Sequence, residues 1–187
     1  MKQILLLIAI IGLAGLAWAE ETTVISGFAD ASYFHDMNAK QGEFGLDQVE
    51  IDLESFASGQ RYLRGLYSGG TLAYEALLIL EGYLPVVYSN VPIKKEFKLE
   101  NSLVSQEHTI VDLGEDEFTV GRLHPMMDNE LRVKRLAAEA EDPETALILL
   151  DVVLGYGSHP DPAIELAPAI ASARQVAEKE GRHLEVV

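Results

Sequence analysis

The fold of this chain is decided by the stretch ETALILLDVVLGYGSHPDPAIELAPAIASARQVAEKEGRHLEVV, residues 144–187. Its first part, residues 144–155, is a continuous apolar run, which predicts a central strand covered on both faces. Residues 161–181 show helical spacing with Pro162 near the first turn, so they predict a long helix. Residues 182–187 predict a last strand. A strand, a helix and a strand in this order indicate a parallel α/β sheet.

The same alternation of strands and helices begins near residue 60. Residues 115–128 between these elements are rich in loop-forming residues, and Asn129 or Asp128 can cap the helix that follows. The composition changes near residues 55–60, so we predict one α/β domain over residues 55–187. Its earlier elements are predicted at residues 61–68 (strand), 72–83 (helix), 85–90 (strand), 108–114 (strand) and 129–142 (helix).

The composition limits the classes of ligand and partner. The chain has 187 residues and a formal net charge of −16 at pH 7, and such an acidic surface repels nucleic acid and anionic lipid. There is no cysteine, which excludes a disulfide framework, a thiolate nucleophile and a cysteine-based zinc site. An anionic ligand would therefore need backbone N–H donors or a local arginine.

Residues 1–19 have the features of a secretory signal peptide. Lys2 precedes an apolar run from Ile4 to Leu16, and Ala17-Trp18-Ala19 forms the cleavage signal. The alternative is an N-terminal membrane anchor, although the run is short for a membrane span. After cleavage we expect no transmembrane helix, and the signal would direct the chain to the periplasm or outer membrane.

Residues 20–54 predict a β-hairpin, because two alternating segments flank a short turn. The segments SGFADASYF and FGLDQVEIDL resemble the first hairpin of outer-membrane porin-like proteins. The sequence after residue 60 lacks further alternating strands of this kind.

The segment YSGGTL, residues 67–72, lies where a predicted strand meets a predicted helix. Glycines allow close backbone approach to a ligand, and free N–H groups at a helix N-terminus attract phosphate. We therefore predict Ser68, Gly69, Gly70 and Thr71 as a phosphate-binding or cofactor-binding loop. The alternative is a plain turn in which Thr71 caps the helix.

The segment GYGSHPDPA, residues 155–163, has the same position at the end of a strand, where ligands of α/β sheets bind. We predict Gly155, Gly157, Ser158 and His159 as binding residues. In the alternative, Ser158 or Asp161 caps the next helix and His159 is a solvated loop residue.

The segment GRLHPMMD, residues 121–128, adds Arg122, whose planar guanidinium suits phosphate or carboxylate. The acidic run in DLGEDEFT, residues 112–119, is either a solvated loop or a Mg²⁺ site. We predict no metal ligand and assign no catalytic residue, and His108 is expected to be structural.

Four separated segments follow the order found in one protein family: RGLYSGGTLAYEA (64–76), HTIVDLGEDEFTVGRLHPMMD (108–128), LILLDVVLGYGSHPDPA (147–163) and GRHLEVV (181–187). They resemble the central ligase domain of FdrA-type acyl-CoA synthetases, relatives of succinyl-CoA synthetase. The resemblance implies a flavodoxin-like domain. It also implies an enzyme that joins a carboxylic acid to CoA through an acyl phosphate, using ATP or another nucleotide triphosphate with Mg²⁺ and a phosphorylated histidine.

The chain departs from this family in several places. It has Ala73 where the family often has cysteine, and Leu123 and Met127 within a GRPHPMID-like segment. In the family a CoA-binding domain precedes the matched region and the phosphohistidine loop follows it, so we give no catalytic role to His124 or His159. We expect a fragment that is not catalytic alone.

The resemblance further implies an acyl or CoA substrate, a homo- or hetero-oligomer and a cytoplasmic location, which the signal-like residues 1–19 contradict. A composite reading frame would explain both halves. The remaining alternatives are an exported outer-membrane β-barrel protein and a non-catalytic scaffold domain.

Overall fold

The computed structural model describes residues 57–187 in full and the backbone of residues 25–34 and 43–51. The chain divides into two compact units, residues 1–54 and 55–187. In the first unit β1 (Ile25–Phe34) pairs antiparallel with β2 (Glu43–Ile51), as the alternating pattern predicts. The predicted signal peptide lies outside the described residues.

The second unit contains a parallel five-stranded sheet with the strand order β4-β5-β3-β6-β7. The predicted α/β class is therefore confirmed. The order differs from that of flavodoxin, in which the third strand lies between the first and the fourth. Here β5 lies between β4 and β3, so β3 pairs directly with β6. The strands are β3 (Tyr62–Tyr67), β4 (Tyr88–Ser89), β5 (Thr109–Asp112), β6 (Thr145–Leu150) and β7 (Glu185–Val186).

Helices cover both faces of this sheet. The connection after β3 runs toward one edge of the sheet and the later connections run toward the other edge, so right-handed crossovers put α1 on one face and α3 and α4 on the opposite face. Within the described residues no helix is long and apolar enough to cross a bilayer. The helices are α1 (Gly70–Leu80), α2 (Asp116–Thr119), α3 (Glu130–Glu141) and α4 (Ala163–Lys179), with a 3₁₀ turn at Lys95–Phe97.

The main core lies between the sheet and the pair α3 and α4. Leu66, Val111 and Ile148 from three neighbouring strands are fully buried there. Small side chains on α3 and α4 allow close approach, and the buried core members on these two helices are Leu136, Ala140, Ala173 and Ala177. This packing fixes the ends of β3, β5 and β6 relative to one another.

A buried ionic network also lies on the α3 face. Arg64 on β3 is 2% exposed, and its guanidinium lies 2.6 Å from a carboxylate oxygen of Asp142 and 3.3 Å from one of Glu139. The second oxygen of Glu139 accepts from Arg135 at 2.5 Å. Because charges are costly to bury without partners, Glu139 stabilises both buried arginines, and Asp142 shares the pairing with Arg64.

The structure corrects several predicted boundaries. Strand β6 ends at Leu150, not residue 155, and Val152 and Leu154 are exposed. The first helix begins at Gly70 with Gly69 as its N-cap, so the expectation that Thr71 caps it is wrong. The segment predicted to be loop-rich contains the short helix α2.

Candidate functional site at the carboxyl edge of the sheet

Polar residues close the three inner strands at one edge of the sheet. Ser68 follows β3, Asp112 ends β5 and Asp151 follows β6. Since β3 lies between β5 and β6, Ser68 is placed between the two aspartates. All three are buried, at 0%, 2% and 7% exposure respectively. Buried polar groups at the ends of parallel strands mark the usual ligand-binding edge of an α/β sheet.

Ser68 and Asp151 join the β3 loop to the β6 loop. The backbone N–H of Ser68 donates to Asp151 Oδ1 at 2.7 Å, and its hydroxyl donates to Asp151 Oδ2 at 2.5 Å. Arg132 Nη2 donates to Asp151 Oδ1 at 3.1 Å and also to the Asp151 carbonyl oxygen. The hydroxyl of Ser68 is therefore used within the protein, and its role in this structure is to fix the loop.

Asp112 is held by its neighbours in a fixed orientation. Asn90 donates to its carbonyl oxygen at 2.9 Å and accepts from its N–H at 2.9 Å. The Gly114 N–H donates to Asp112 Oδ1 at 2.8 Å. Burial raises the pKa of Asp112, and nearby Asp151 adds to the rise, whereas the Gly114 N–H and His124 work in the opposite direction. The neutral form of this carboxyl is accordingly easier to reach than in an exposed aspartate.

Two glycines permit close packing around Asp112. A Cβ at Gly70 would lie 2.9 Å from Asp112 Oδ2. A Cβ at Gly114 would lie 2.7 Å from His124 Nε2 and 2.8 Å from the Ser68 carbonyl oxygen. The His124 Nδ1 accepts the Met126 N–H at 3.2 Å, so Nε2 is the ring nitrogen that faces Gly114.

The start of α1 offers backbone donors at this edge. The first intrahelical bond runs from the Ala73 N–H to the Gly69 carbonyl oxygen at 3.3 Å, so the N–H groups of Gly70, Thr71 and Leu72 precede it. No side chain caps this end, and the first turn carries no acidic residue. Free N–H groups and the helix dipole together suit an anion such as phosphate.

The β6–α4 loop has a different character. Gly155 and Gly157 have φ values of 139° and 87°, which favour glycine. The Ser158 hydroxyl donates to the Gly155 carbonyl oxygen at 2.7 Å, and the His159 N–H donates to the Met126 carbonyl oxygen at 2.7 Å. The bond between His159 and Met126 connects the predicted segments 121–128 and 155–163.

The expectation that Ser158 or Asp161 caps α4 is wrong. The N-cap is Pro162, and no side-chain hydrogen bond caps this helix end. Likewise, the Asn129 side chain does not cap α3. It donates to Glu165 at 3.1 Å. Asp128, the other predicted cap, accepts the Glu130 N–H at 2.8 Å.

The structure thus places the predicted segments 67–72 and 155–163 at the carboxyl edge. His124 connects the third segment, 121–128, to this edge. Arg122 is separate: it lines a cavity that contains none of the glycine-loop residues. The sequence interpretation assigned no binding role to Asp151 or Arg132, and it placed Asp112 only within the acidic run 112–119. Asp112 and Asp151 share a feature. Each ends a buried apolar run, TIVD and LILLD, and a polar residue in that position is a signal that could have identified them.

The contacts of His108 and His159 indicate structural roles for these two side chains. His108 accepts the Leu63 N–H at 3.2 Å, and burial, followed by the nearby Arg64, lowers its pKa to about 4. His159 Nδ1 accepts the Asp161 N–H at 3.1 Å. Across the part of the chain that the structure describes, no group of three or more acidic or histidine side chains is placed to hold a metal ion.

Comparison with known proteins agrees with this architecture. A family model described as CoA-ligase matches residues 66–187, which include the entire carboxyl edge described above. The chain belongs to the CoA-ligase family. The uncharacterized protein YahF of Escherichia coli (strain K12) is 45% identical over 125 residues, which are 67% of this chain and 24% of that protein. The chain therefore spans about a quarter of the length of this relative.

Membership of the CoA-ligase family suggests that CoA is involved in the function. The charges and donors at the carboxyl edge indicate whether CoA could bind there. CoA carries several phosphate charges, which proteins usually match with arginines, lysines or many backbone donors. The edge instead carries the carboxylates of Asp112 and Asp151, and Arg132 is already paired with Asp151. The described donors suit one phosphoryl group at the start of α1, and they do not fit a whole CoA molecule.

Proposed function

We propose that the domain over residues 55–187 is the phosphoryl-binding part of an FdrA-type acyl-CoA synthetase. In its full-length form such a protein joins a carboxylic acid to CoA, using ATP or another nucleotide triphosphate with Mg²⁺. The acid first becomes an acyl phosphate, and the CoA thiol then displaces the phosphate to form the thioester. Membership of the CoA-ligase family and the four ordered segments support this proposal.

We assign only one part of this reaction to the chain. Because the chain spans about a quarter of its relative, we assign to it the binding and orientation of the phosphoryl group. The backbone N–H groups of Gly70, Thr71 and Leu72 would donate to phosphoryl oxygens. The bonds between Ser68 and Asp151 hold the loop so that these donors are fixed before the ligand arrives.

Asp112 is the group that regulates anion binding in this proposal. Its carboxyl lies beside Gly70 at the first turn of α1, where an ionised carboxylate would repel phosphate. The raised pKa of Asp112 makes its protonated form accessible, and that form removes the repulsion. The main support for phosphoryl binding at this edge is that no side chain caps the start of α1.

Titration calorimetry with inorganic phosphate, CoA and ATP with Mg²⁺ tests this assignment. The informative variant is Gly69→Val: Gly69 has an extended φ of −164°, and a Cβ there meets nothing within 4 Å. The fold should tolerate the valine, while its side chain would stand beside the α1 donors. The matched control is Gly82→Ala beyond the other end of α1, where a Cβ meets only the Ile79 carbonyl oxygen at 3.5 Å.

We expect phosphate to bind the wild type and Gly82→Ala equally, and Gly69→Val at least about tenfold more weakly. A folded wild type that releases no heat with phosphate, or a Gly69→Val variant with unchanged affinity, would contradict the assignment. Heat with CoA but not with phosphate would also contradict it.

We also propose that this domain works in the cytoplasm, where CoA and nucleotide triphosphates are available, on an acyl or CoA substrate and within a homo- or hetero-oligomer. Residues 1–19 would instead direct export. Cell fractionation with N-terminal sequencing separates the two: cleavage after Ala19 together with a periplasmic location would contradict the cytoplasmic proposal.

A further inference from the structure

A cavity of about 220 Å³ lies between the α2 segment and the start of α3. It is smaller than the sites of drug-sized ligands, which measure roughly 300–1,000 Å³, so its size suits a small metabolite. None of Ser68, Gly69, Gly70 or Thr71 lines it. It is therefore distinct from the phosphoryl site proposed above. Its walls combine apolar residues with one free cation and one free carboxylate oxygen.

Arg122 supplies the cation. Its side chain lines the cavity, and within residues 57–187 no hydrogen bond, ion pair or ring contact involves its guanidinium. Its backbone N–H donates to the Thr119 carbonyl oxygen at 3.1 Å, which fixes the chain at this position. An unpaired guanidinium presents a planar fork of donors, whose natural partner is a carboxylate.

Asp128 supplies the free carboxylate oxygen. Its Oδ1 accepts the Glu130 N–H at 2.8 Å, which anchors the side chain at the start of α3. Its Oδ2 has no partner among residues 57–187. Glu130 also lines the cavity, but its own carboxylate is paired with Lys134. The charges left for a ligand are thus one guanidinium and one carboxylate oxygen.

The rest of the wall is apolar. Phe118 and Pro125 are buried, whereas Leu131 is half-buried and Leu123 is 58% exposed. An aliphatic group placed here would cover part of Leu123, and burial of apolar surface is favourable by about 25 cal/mol per Å².

We propose that this cavity binds a zwitterionic amino acid with a small aliphatic side chain, such as leucine or valine. The ligand carboxylate would pair with Arg122, its ammonium with Asp128 Oδ2, and its side chain would pack against Phe118 and Leu131. Phosphate fits this arrangement poorly because Asp128 and Glu130 would repel a dianion. A simple monocarboxylate would leave the free oxygen of Asp128 without a donor. This inference does not depend on the proposed phosphoryl site.

Calorimetry on the full chain with three related probes tests each contact. L-Leucine carries both charges, 4-methylpentanoate lacks the ammonium and 3-methylbutylamine lacks the carboxylate. We expect leucine to bind at least about tenfold more tightly than either of the others, because each loses one charge-assisted hydrogen bond.

Two variants localise the site. Arg122→Gln should weaken leucine binding at least about tenfold, whereas Arg174→Gln, which changes an arginine outside the cavity, should not change it. Asp128→Asn keeps an oxygen for the Glu130 N–H, so it should weaken leucine binding without weakening that of 4-methylpentanoate.

Circular dichroism of each variant confirms that it is folded. The proposal is overturned if the folded wild type does not bind leucine, if Arg122→Gln binds leucine as tightly as Arg174→Gln does, or if 4-methylpentanoate binds as tightly as leucine. We expect a change that abolishes leucine binding to leave phosphate binding unchanged. We also expect a change that abolishes phosphate binding to leave leucine binding unchanged, so either proposal can fail without the other.

Discussion

Replacing His108 with glutamine should change how the stability of the domain depends on pH. His108 is 7% exposed, its Nδ1 accepts the Leu63 N–H, and its ring packs edge-on against Tyr62 with centroids 5.4 Å apart. Burial and the neighbouring Arg64 lower its pKa from 6.5 to about 4. The folded state therefore holds this histidine in its neutral form at neutral pH.

The sign of the effect follows from this lowered pKa. In the unfolded chain His108 takes up a proton as the pH falls below about 6.5, whereas in the folded state it does so only near pH 4. The unfolded state therefore binds more protons in this window, and the stability from His108 is full above the unfolded pKa and is lost as the pH falls. From about pH 7 to about pH 5 the loss amounts to about 2 kcal/mol.

Urea unfolding of the wild type and His108→Gln at these two pH values measures this contribution. Glutamine keeps an acceptor for the Leu63 N–H but does not titrate. Other titrating groups change both proteins alike, so the difference in pH dependence isolates His108. We expect the wild type to lose about 2 kcal/mol more than the variant on acidification. Equal losses in the two proteins would show that the pKa of His108 does not differ between the folded and unfolded states.

Three further changes have defined outcomes. Glu139→Gln should lower the free energy of unfolding by about 3–5 kcal/mol, because it removes the charge that balances two buried arginines; urea unfolding measures this. Gly65→Ala should destabilise by about 1–3 kcal/mol, since the added carbon would meet Ile110 Cδ1 in a filled core, and an unchanged melting curve would contradict this. Sulfate, which stays a dianion, should bind more tightly as the pH falls toward the raised pKa of Asp112, and calorimetry of Asp112→Asn should show no such dependence.

The sheet was predictable because its strands and helices carry regular apolar patterns. Strand β6 shows where such patterns fail. The apolar letters of Val152, Val153 and Leu154 continue the strand pattern past Asp151, but the structure ends the strand at Leu150 and exposes Val152 and Leu154. Asp151 leaves the sheet because its carboxylate binds Ser68 and Arg132. Hydrophobicity alone contains no information on that tertiary contact.

The candidate site was predictable in position and only partly in detail. Glycines after strands indicated which loops lie at the carboxyl edge, but the sequence did not indicate that the Ser68 hydroxyl is bonded to Asp151. Nor could spacing place Arg122 in a separate cavity or His124 beside Gly114. These contacts join residues far apart in sequence, so they depend on how the helices pack and not on local patterns.

The binding of a phosphoryl group at the start of α1 can be observed residue by residue. It is tested most directly by following backbone amide signals in nuclear magnetic resonance spectra while inorganic phosphate is added to the isotope-labelled chain. We expect the largest changes at the amides of Gly69, Gly70, Thr71 and Leu72, and we expect these changes to saturate with phosphate concentration. Changes confined to other residues, or none at these four amides, would contradict it.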